Sequence, residues 1–275
     1  MKTALQLGDD LIHYLAPAGL PPNLVLLHGF GGSVRHFEPL LAELGRAATP
    51  LAFDLPGCGR STGVAPANVG SMVSCVIDVL DALAPEAPPF VLLGHSLGGL
   101  VAAEVALARP ERVRSLVLVA SSPRMRLHPE VRRQAMTGCW DDEFLRGSFG
   151  PQACAEHVRW VSEDLRALRL PRGTDAAGFW AGHDVCARLH EIEVDTLVIV
   201  PSDDAVVSPR NGELWRRGIR HARLAEVSDT GHYVQLEDPR AVAELVRERL
   251  PCGAPSATES SPTFRERAYR AALRP

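Results

Sequence analysis

Short apolar, β-branched runs alternate with helix-period segments along most of this chain, and that alternation is what most restricts its fold. Leu24–Leu27, Leu51–Phe53, Phe90–Leu93, Ser115–Ala120 and Thr196–Val200 are such runs, with Leu224–Val227 a weaker sixth. Runs this short, lacking polar alternation, suit strands buried on both faces. Between them, Phe37–Leu44 sets Leu40, Leu41 and Leu44 on one helical face, and Met72–Leu83 does the same with Val76, Val79, Leu80 and Leu83. Leu97–Leu107 and Ala241–Leu250 continue the series. Strand alternating with helix predicts an α/β fold, a mostly parallel, doubly wound sheet with helices on both faces.

The alternation lapses between Pro123 and Leu189. Charged helical stretches (Glu130–Met136, Ala153–Leu168) appear there with aromatic residues and no convincing strand, before the buried run at Thr196 resumes the pattern. The expected organisation is a core of residues 1–122 and 190–250, interrupted by a mainly helical cap over 123–189. A C-terminal extension follows over 251–275, low in apolar residues at first (PCGAPSATESSP) and then helix-periodic over Phe264–Leu273. The extension is expected to be flexible.

A length of 275 residues suits one large domain with such an insertion, and 46% apolar content is enough for a sizeable core. A net charge of -4 argues against a nucleic-acid partner. The six cysteines form neither C-x-x-C nor a zinc-type cluster with histidine, which fits free thiols in a reducing compartment. Acids interrupt the opening MKTALQLGDDLIHYL before any apolar signal region, and no apolar run nears the ~20 residues of a membrane span. The expectation is a cytoplasmic protein with no membrane partner.

Within FVLLGHSLGGLVAAEVAL, Gly94-His95-Ser96-Leu97-Gly98 reads G-x-S-x-G between an apolar strand run and an alanine-rich helical run. Strand–turn–helix is the context in which this motif exposes a serine nucleophile. Such a hydroxyl needs a base to take its proton. Among ten histidines, His232 stands in a polar loop (Asp229-Thr230-Gly231-His232-Tyr233) between the last strand candidate and the last core helix. The base needs a carboxylate to fix its tautomer. Asp203 and Asp204 both follow the strand Thr196–Val200; Asp204 is the choice and Asp203 is expected to serve the loop. The order Ser96, Asp204, His232 is one of the known orders of a catalytic triad. An oxyanion needs two donors. Leu97 N–H, just after the serine, is one, and Phe30 N–H, in the His28-Gly29-Phe30-Gly31-Gly32 loop after Leu24–Leu27, is the other. That loop matches neither the dinucleotide fingerprint nor a P-loop. His28, Trp140, Trp160, Trp180 and Tyr233 are candidate substrate-binding residues, and Phe144 is a further aromatic that could line an apolar pocket.

The stretches LVLLHGFGGS, FDLPGCGRST, LLGHSLGGLVA, RPERVRSLVLVASSP, VIVPSDDAVVSP and DTGHYVQLEDP together resemble the α/β-hydrolase fold superfamily, of the capped serine esterase type. The resemblance spans Leu24 to about Leu250 apart from the cap. It implies a serine hydrolase without metal or organic cofactor, and it implies that Asp54 and Arg60 shape their turn rather than react. VASSPRM resembles the methyl ester esterases that act on an acyl carrier protein, and enol-lactonases resemble the core equally well. The substrate expected is a small, mostly apolar ester, with an acyl carrier as one source. Arg124, Arg126, Arg132 and Arg133 are the residues a carrier would meet, or else a solvated helix face. Thioester, enol-lactone and C–C cleavage stay open on the same triad. So does a different class, a ligand-binding protein or cofactor-free oxygenase or cyclase on the same fold.

Overall fold

A computed structural model describes residues 4–16, 19–124, 128–151, 153–170 and 182–251. Trp180, Arg126, Cys252 and the stretch Phe264–Leu273 lie outside the described residues.

Eight strands form one sheet: β1 (Ala4–Leu7), β2 (Asp10–Leu15), β3 (Leu24–Leu27), β4 (Pro50–Phe53), β5 (Phe90–His95), β6 (Val113–Val119), β7 (Asp195–Pro201) and β8 (Ala222–Val227), in the spatial order β1-β2-β4-β3-β5-β6-β7-β8. From β4 to β8 every pairing is parallel; β1 and β2 are antiparallel to each other, and β2 is antiparallel to β4. The central strands coincide with the apolar runs of the sequence. Leu24–Leu27 is buried at all four positions and Phe90–His95 at all six, as strands covered on both faces must be. The first two strands were not among the sequence-based expectations. They are half-exposed and joined by the two-residue turn Gly8-Asp9, so their apolar signal is weak.

One layer of core packs helices α2 (Val69–Leu83) and α3 (Leu97–Ala108) against β3, β5 and β6. The other packs α1 (Glu38–Leu44) and, near the C-terminus, α9 (Pro239–Arg247) against the opposite face. Because α3 sits at the centre of its layer, nine of its residues are buried and it is apolar on nearly all sides, Glu104 being its one charged residue.

Among the described residues between β6 and β7 lie three helices, α4 (Pro129–Thr137), α5 (Asp142–Gly147) and α6 (Ala155–Ala167), followed by a 3₁₀ turn, Cys186–Glu191. Asp141 caps α5 by accepting the Phe144 N–H at 2.8 Å, and Gly138 ends α4 in the left-handed conformation. Their apolar faces, with Val131, Trp140, Leu145, Phe149, Val161 and Leu165, form a third cluster that also takes in Tyr233 and Leu236. This cluster lies over the ends of β3 and β5, where the site is found. After β7 come α7 (Arg210–Gly218), β8 and the one-turn helix α8 (Val234–Glu237). No helix among the described residues is long and apolar enough to cross a membrane.

Candidate active site

The site begins at the bend between β5 and α3. Ser96 has φ 53° and ψ −119°, a backbone conformation that L-residues avoid. It is held there by its own N–H, which donates to Val119 O at 2.8 Å on β6. The bend also needs close approach of main chains. A Cβ on Gly98 would collide with the carbonyl oxygens of Leu27 and His28, so glycine is required two residues past the serine. The strain lifts the Ser96 side chain clear of the strand and onto the N-terminus of α3, where the first amides, Leu97 among them, have no intrahelical partner.

Two distant loops meet this serine. His232 Nε2 stands 3.0 Å from Ser96 Oγ, and His232 Nδ1 stands 2.9 Å from Asp204 Oδ2. These partners assign the tautomer: Nδ1–H donates to the carboxylate, and Nε2 accepts from the hydroxyl. Asp204 is buried, and its Oδ1 accepts the N–H groups of Val206 and Val207 at 2.8 Å each. A carboxylate held by three donors keeps one orientation. Asp203 next to it is exposed and accepts from Ser202 Oγ at 2.8 Å, a contact within its own loop.

The His232 loop is itself held on all sides. His232 N–H donates to Ser148 O at 2.8 Å, and its carbonyl accepts from His95 Nε2 at 2.8 Å. His95 is fully buried, and burial, with His232 nearby, keeps its pKa well below the ordinary histidine value. A neutral ring with Nε2 donating is the form this contact requires. Burial likewise pushes the Tyr233 phenol up, with Asp204 adding to the effect, so Tyr233 is a neutral wall rather than a base.

The pocket in front of Ser96 is lined by Phe30 and Leu97 on the core side. Val131, Trp140, Phe144 and Leu165 line it from the helices between β6 and β7, with Val206, Val207, His232 and Tyr233 completing it. Trp140 lies with its ring centroid 6.3 Å from that of Phe30. The wall is predominantly apolar, and Ser122, Arg124 and His128 are polar members of the lining.

Of the candidate substrate-binding residues, Trp140 and Tyr233 line this pocket. Two do not. His28 is fully buried, with Nδ1 2.8 Å from Gly29 O and Nε2 accepting the Leu55 N–H at 3.0 Å. It fastens the end of β3 to the turn after β4, and both its nitrogens are occupied by backbone. Trp160 turns away on α6, under the Arg35 guanidinium (5.9 Å to the ring centroid) and against the His157 ring. Trp180 lies outside the described residues. Asp54 organises its turn: its carboxylate accepts the N–H groups of Val34 at 2.7 Å and Arg60 at 2.8 Å, and it stands 3.1 Å from His13 Nδ1. Of the arginines read as a possible carrier surface, Arg124 is paired with Asp184 and Arg133 with Glu130. His95 and Glu237 were missed. His95 is the variable position of G-x-S-x-G, and Glu237 follows His232 by five residues; neither has a signature apart from its neighbour.

The model of the alpha/beta hydrolase family matches residues 24–245. A protein named carbamate hydrolase RutD from Azorhizobium caulinodans is 29% identical over 261 residues, covering 87% of this chain and 94% of that protein. A pimeloyl-[acyl-carrier protein] methyl ester esterase from Neisseria meningitidis is 30% identical over 82% of this chain and 92% of its own length. The enol-lactonase from Burkholderia xenovorans superposes with a TM-score of 0.74 over 90% of this chain and 98% of that chain, at 21% identity, a likeness of fold alone.

Proposed function

The chain belongs to the alpha/beta hydrolase family, and from that premise we propose that it is a serine hydrolase cleaving the carboxylic ester of a small, mostly apolar substrate through an acyl-enzyme. The observation that carries this reading is the continuous relay from Ser96 Oγ through His232 to Asp204, at 3.0 and 2.9 Å, beginning on a strained serine.

In the proposed reaction His232 Nε2 takes the Ser96 proton as Oγ attacks the ester carbonyl. The N–H groups of Leu97 and Phe30 receive the oxyanion, and Asp204 stabilises the imidazolium. The imidazolium then protonates the departing alkoxide, leaving an acyl group on Ser96. Water, deprotonated by His232, attacks that acyl group; the acid leaves and Oγ regains its proton. Residues 123–189 are proposed to act as a cap that supplies Trp140, Phe144, Val131 and Leu165 to the wall, over a core of 1–122 and 190–250. An apolar wall selects apolar acyl or alcohol groups by removing their surface from water. No metal or organic cofactor enters these steps. The similarity to a methyl ester esterase acting on an acyl carrier supports an ester, free or carrier-bound, ahead of lactone, thioester or C–C substrates.

A fluorophosphonate probe tests the reading. It is expected to label Ser96, and short-chain p-nitrophenyl esters are expected to show burst release of nitrophenol. Ser96→Ala should remove both and remain folded. Label on another residue, or substantial turnover by the variant, refutes the nucleophile. Absence of any burst or label in the parent favours a ligand-binding or cofactor-free oxygenase role. A panel of graded p-nitrophenyl esters, acyl thioesters and enol-lactones assigns the acyl group.

A further inference from the structure

Glu237, the last residue of α8, has no part in the chemistry proposed above, yet its carboxylate is fully engaged. Oε2 accepts the N–H of Gly150 at 2.6 Å and of Gly231 at 3.0 Å, and Oε1 accepts the N–H of Tyr233 at 3.1 Å. Gly231 and Tyr233 flank His232, whose own N–H donates to Ser148 O. Three consecutive amides of the loop are therefore bound, two of them by a single side chain. Gly150 and Ser148 belong to the segment between β6 and β7, so the same carboxylate joins that segment to the loop. The two backbones touch: a Cβ on Gly231 would lie 2.5 Å from Gly150 N and 2.5 Å from Phe149 C.

Amides buried at such a junction require an acceptor, and one carboxylate can serve several at once through charge-assisted bonds. Without it, two N–H groups beside His232 would be unpaired and the loop would relax to find other partners. The imidazole would then lose its 3.0 Å contact with Ser96. We propose that Glu237 is a positioning residue for His232, clamping the base loop and the Gly150 segment into one unit so that the imidazole stays within reach of the serine. This inference rests on the serine-hydrolase reading.

Its test is Glu237→Gln, which keeps the shape but replaces one acceptor oxygen with an NH₂ facing a backbone N–H, together with Glu237→Ala. The readouts are kcat and KM on a p-nitrophenyl ester and the rate of fluorophosphonate labelling. Glu237→Gln is expected to lower kcat and the labelling rate together, by roughly 10- to 100-fold, the scale of an ångström-level misplacement. KM should move less than about threefold, because Glu237 does not line the pocket. Glu237→Ala should fall further than Glu237→Gln. If the alanine variant does not fold, the glutamine variant alone decides. Parental kcat and labelling rate in folded Glu237→Gln overturn the inference, as does a change confined to KM. A parent that takes no label overturns the serine-hydrolase reading and this inference with it; a labelled parent with an equally fast variant overturns this inference alone.

Discussion

Replacing Asp164 by asparagine is expected to destabilise the protein by about 3 kcal/mol at neutral pH, because this buried carboxylate fastens α6 to the loop that carries Phe30. Asp164 Oδ2 accepts from Ser33 Oγ at 2.6 Å, and the Arg35 guanidinium reaches the two carboxylate oxygens at 3.1 and 2.8 Å. His36 Nε2 stands 3.0 Å away, an electrostatic contact without the alignment of a hydrogen bond. The Ser33 bond is buried and goes to a charged group, which is worth about 1.5–3 kcal/mol. The Arg35 side chain is 23% exposed, so solvent screens its share to about 1 kcal/mol or less. Asparagine keeps one acceptor, which holds the total near 3 kcal/mol rather than the sum of every bond. In a chain of this size that corresponds to a fall in Tm of roughly 5–10 °C. Burial alone would raise the Asp164 pKa, but His36, Arg35 and Ser33 together hold it below the usual carboxylate value. A group depressed in the folded state contributes its stability above its unfolded pKa and loses it as pH falls through the folded value. The difference between parent and Asp164→Asn should therefore be full at pH 7 and shrink below about pH 4. Urea unfolding of parent, Asp164→Asn, Ser33→Ala and the double variant measures it, with a coupling of about 1–2 kcal/mol expected between the two sites. A single variant within about 0.5 kcal/mol of the parent, or a difference that does not shrink in acid, refutes the reasoning.

Asp204→Asn is expected to lower kcat on a p-nitrophenyl ester by roughly 10⁴, since the amide presents the wrong tautomer to His232, whereas Asp203→Asn should change it less than about twofold; the reverse pattern in steady-state kinetics would exchange the two roles. Gly98→Ala should destabilise the fold by about 3 kcal/mol or prevent soluble expression, because the new methyl meets main-chain oxygens that cannot rotate away, and a parental Tm would contradict this. Burial pushes the Cys58 thiol up to about 12, so native protein treated with iodoacetamide at pH 8 should be alkylated at the exposed Cys139 and Cys154 but not at Cys58, as peptide mass mapping would reveal.

How much of this was legible in the sequence depended on whether a residue's role is written in its own segment. The strands β3 to β7 were legible because burial on both faces leaves few polar positions inside them, and Ser96 because a strand, a glycine-flanked bend and a helix are contiguous in the chain. β1 and β2 were not, since an edge hairpin with one wet face carries little apolar signal and Leu11 is exposed on it. Asp204 could be preferred to Asp203 from the Val206-Val207 pair that follows, and the structure gives the physical reason for the difference: one carboxylate turns inward onto two amides and an imidazole, its neighbour outward onto a serine. His28 misled because a histidine beside a glycine-rich loop looks like a ligand contact, while its two nitrogens are consumed by backbone groups 1 and 27 residues away. Trp160 misled because the face of α6 that meets the pocket is set by Leu165, whereas Trp160 is drawn under Arg35 by the same cluster that buries Asp164. Glu237 was illegible for a related reason. Its partners are amides, which every residue possesses, so nothing in the composition of Gly150, Gly231 or Tyr233 announces that a carboxylate must serve all three. Residues that act on side chains leave a pattern in sequence; residues that act on the backbone of a distant loop become visible only once the two loops have been brought together.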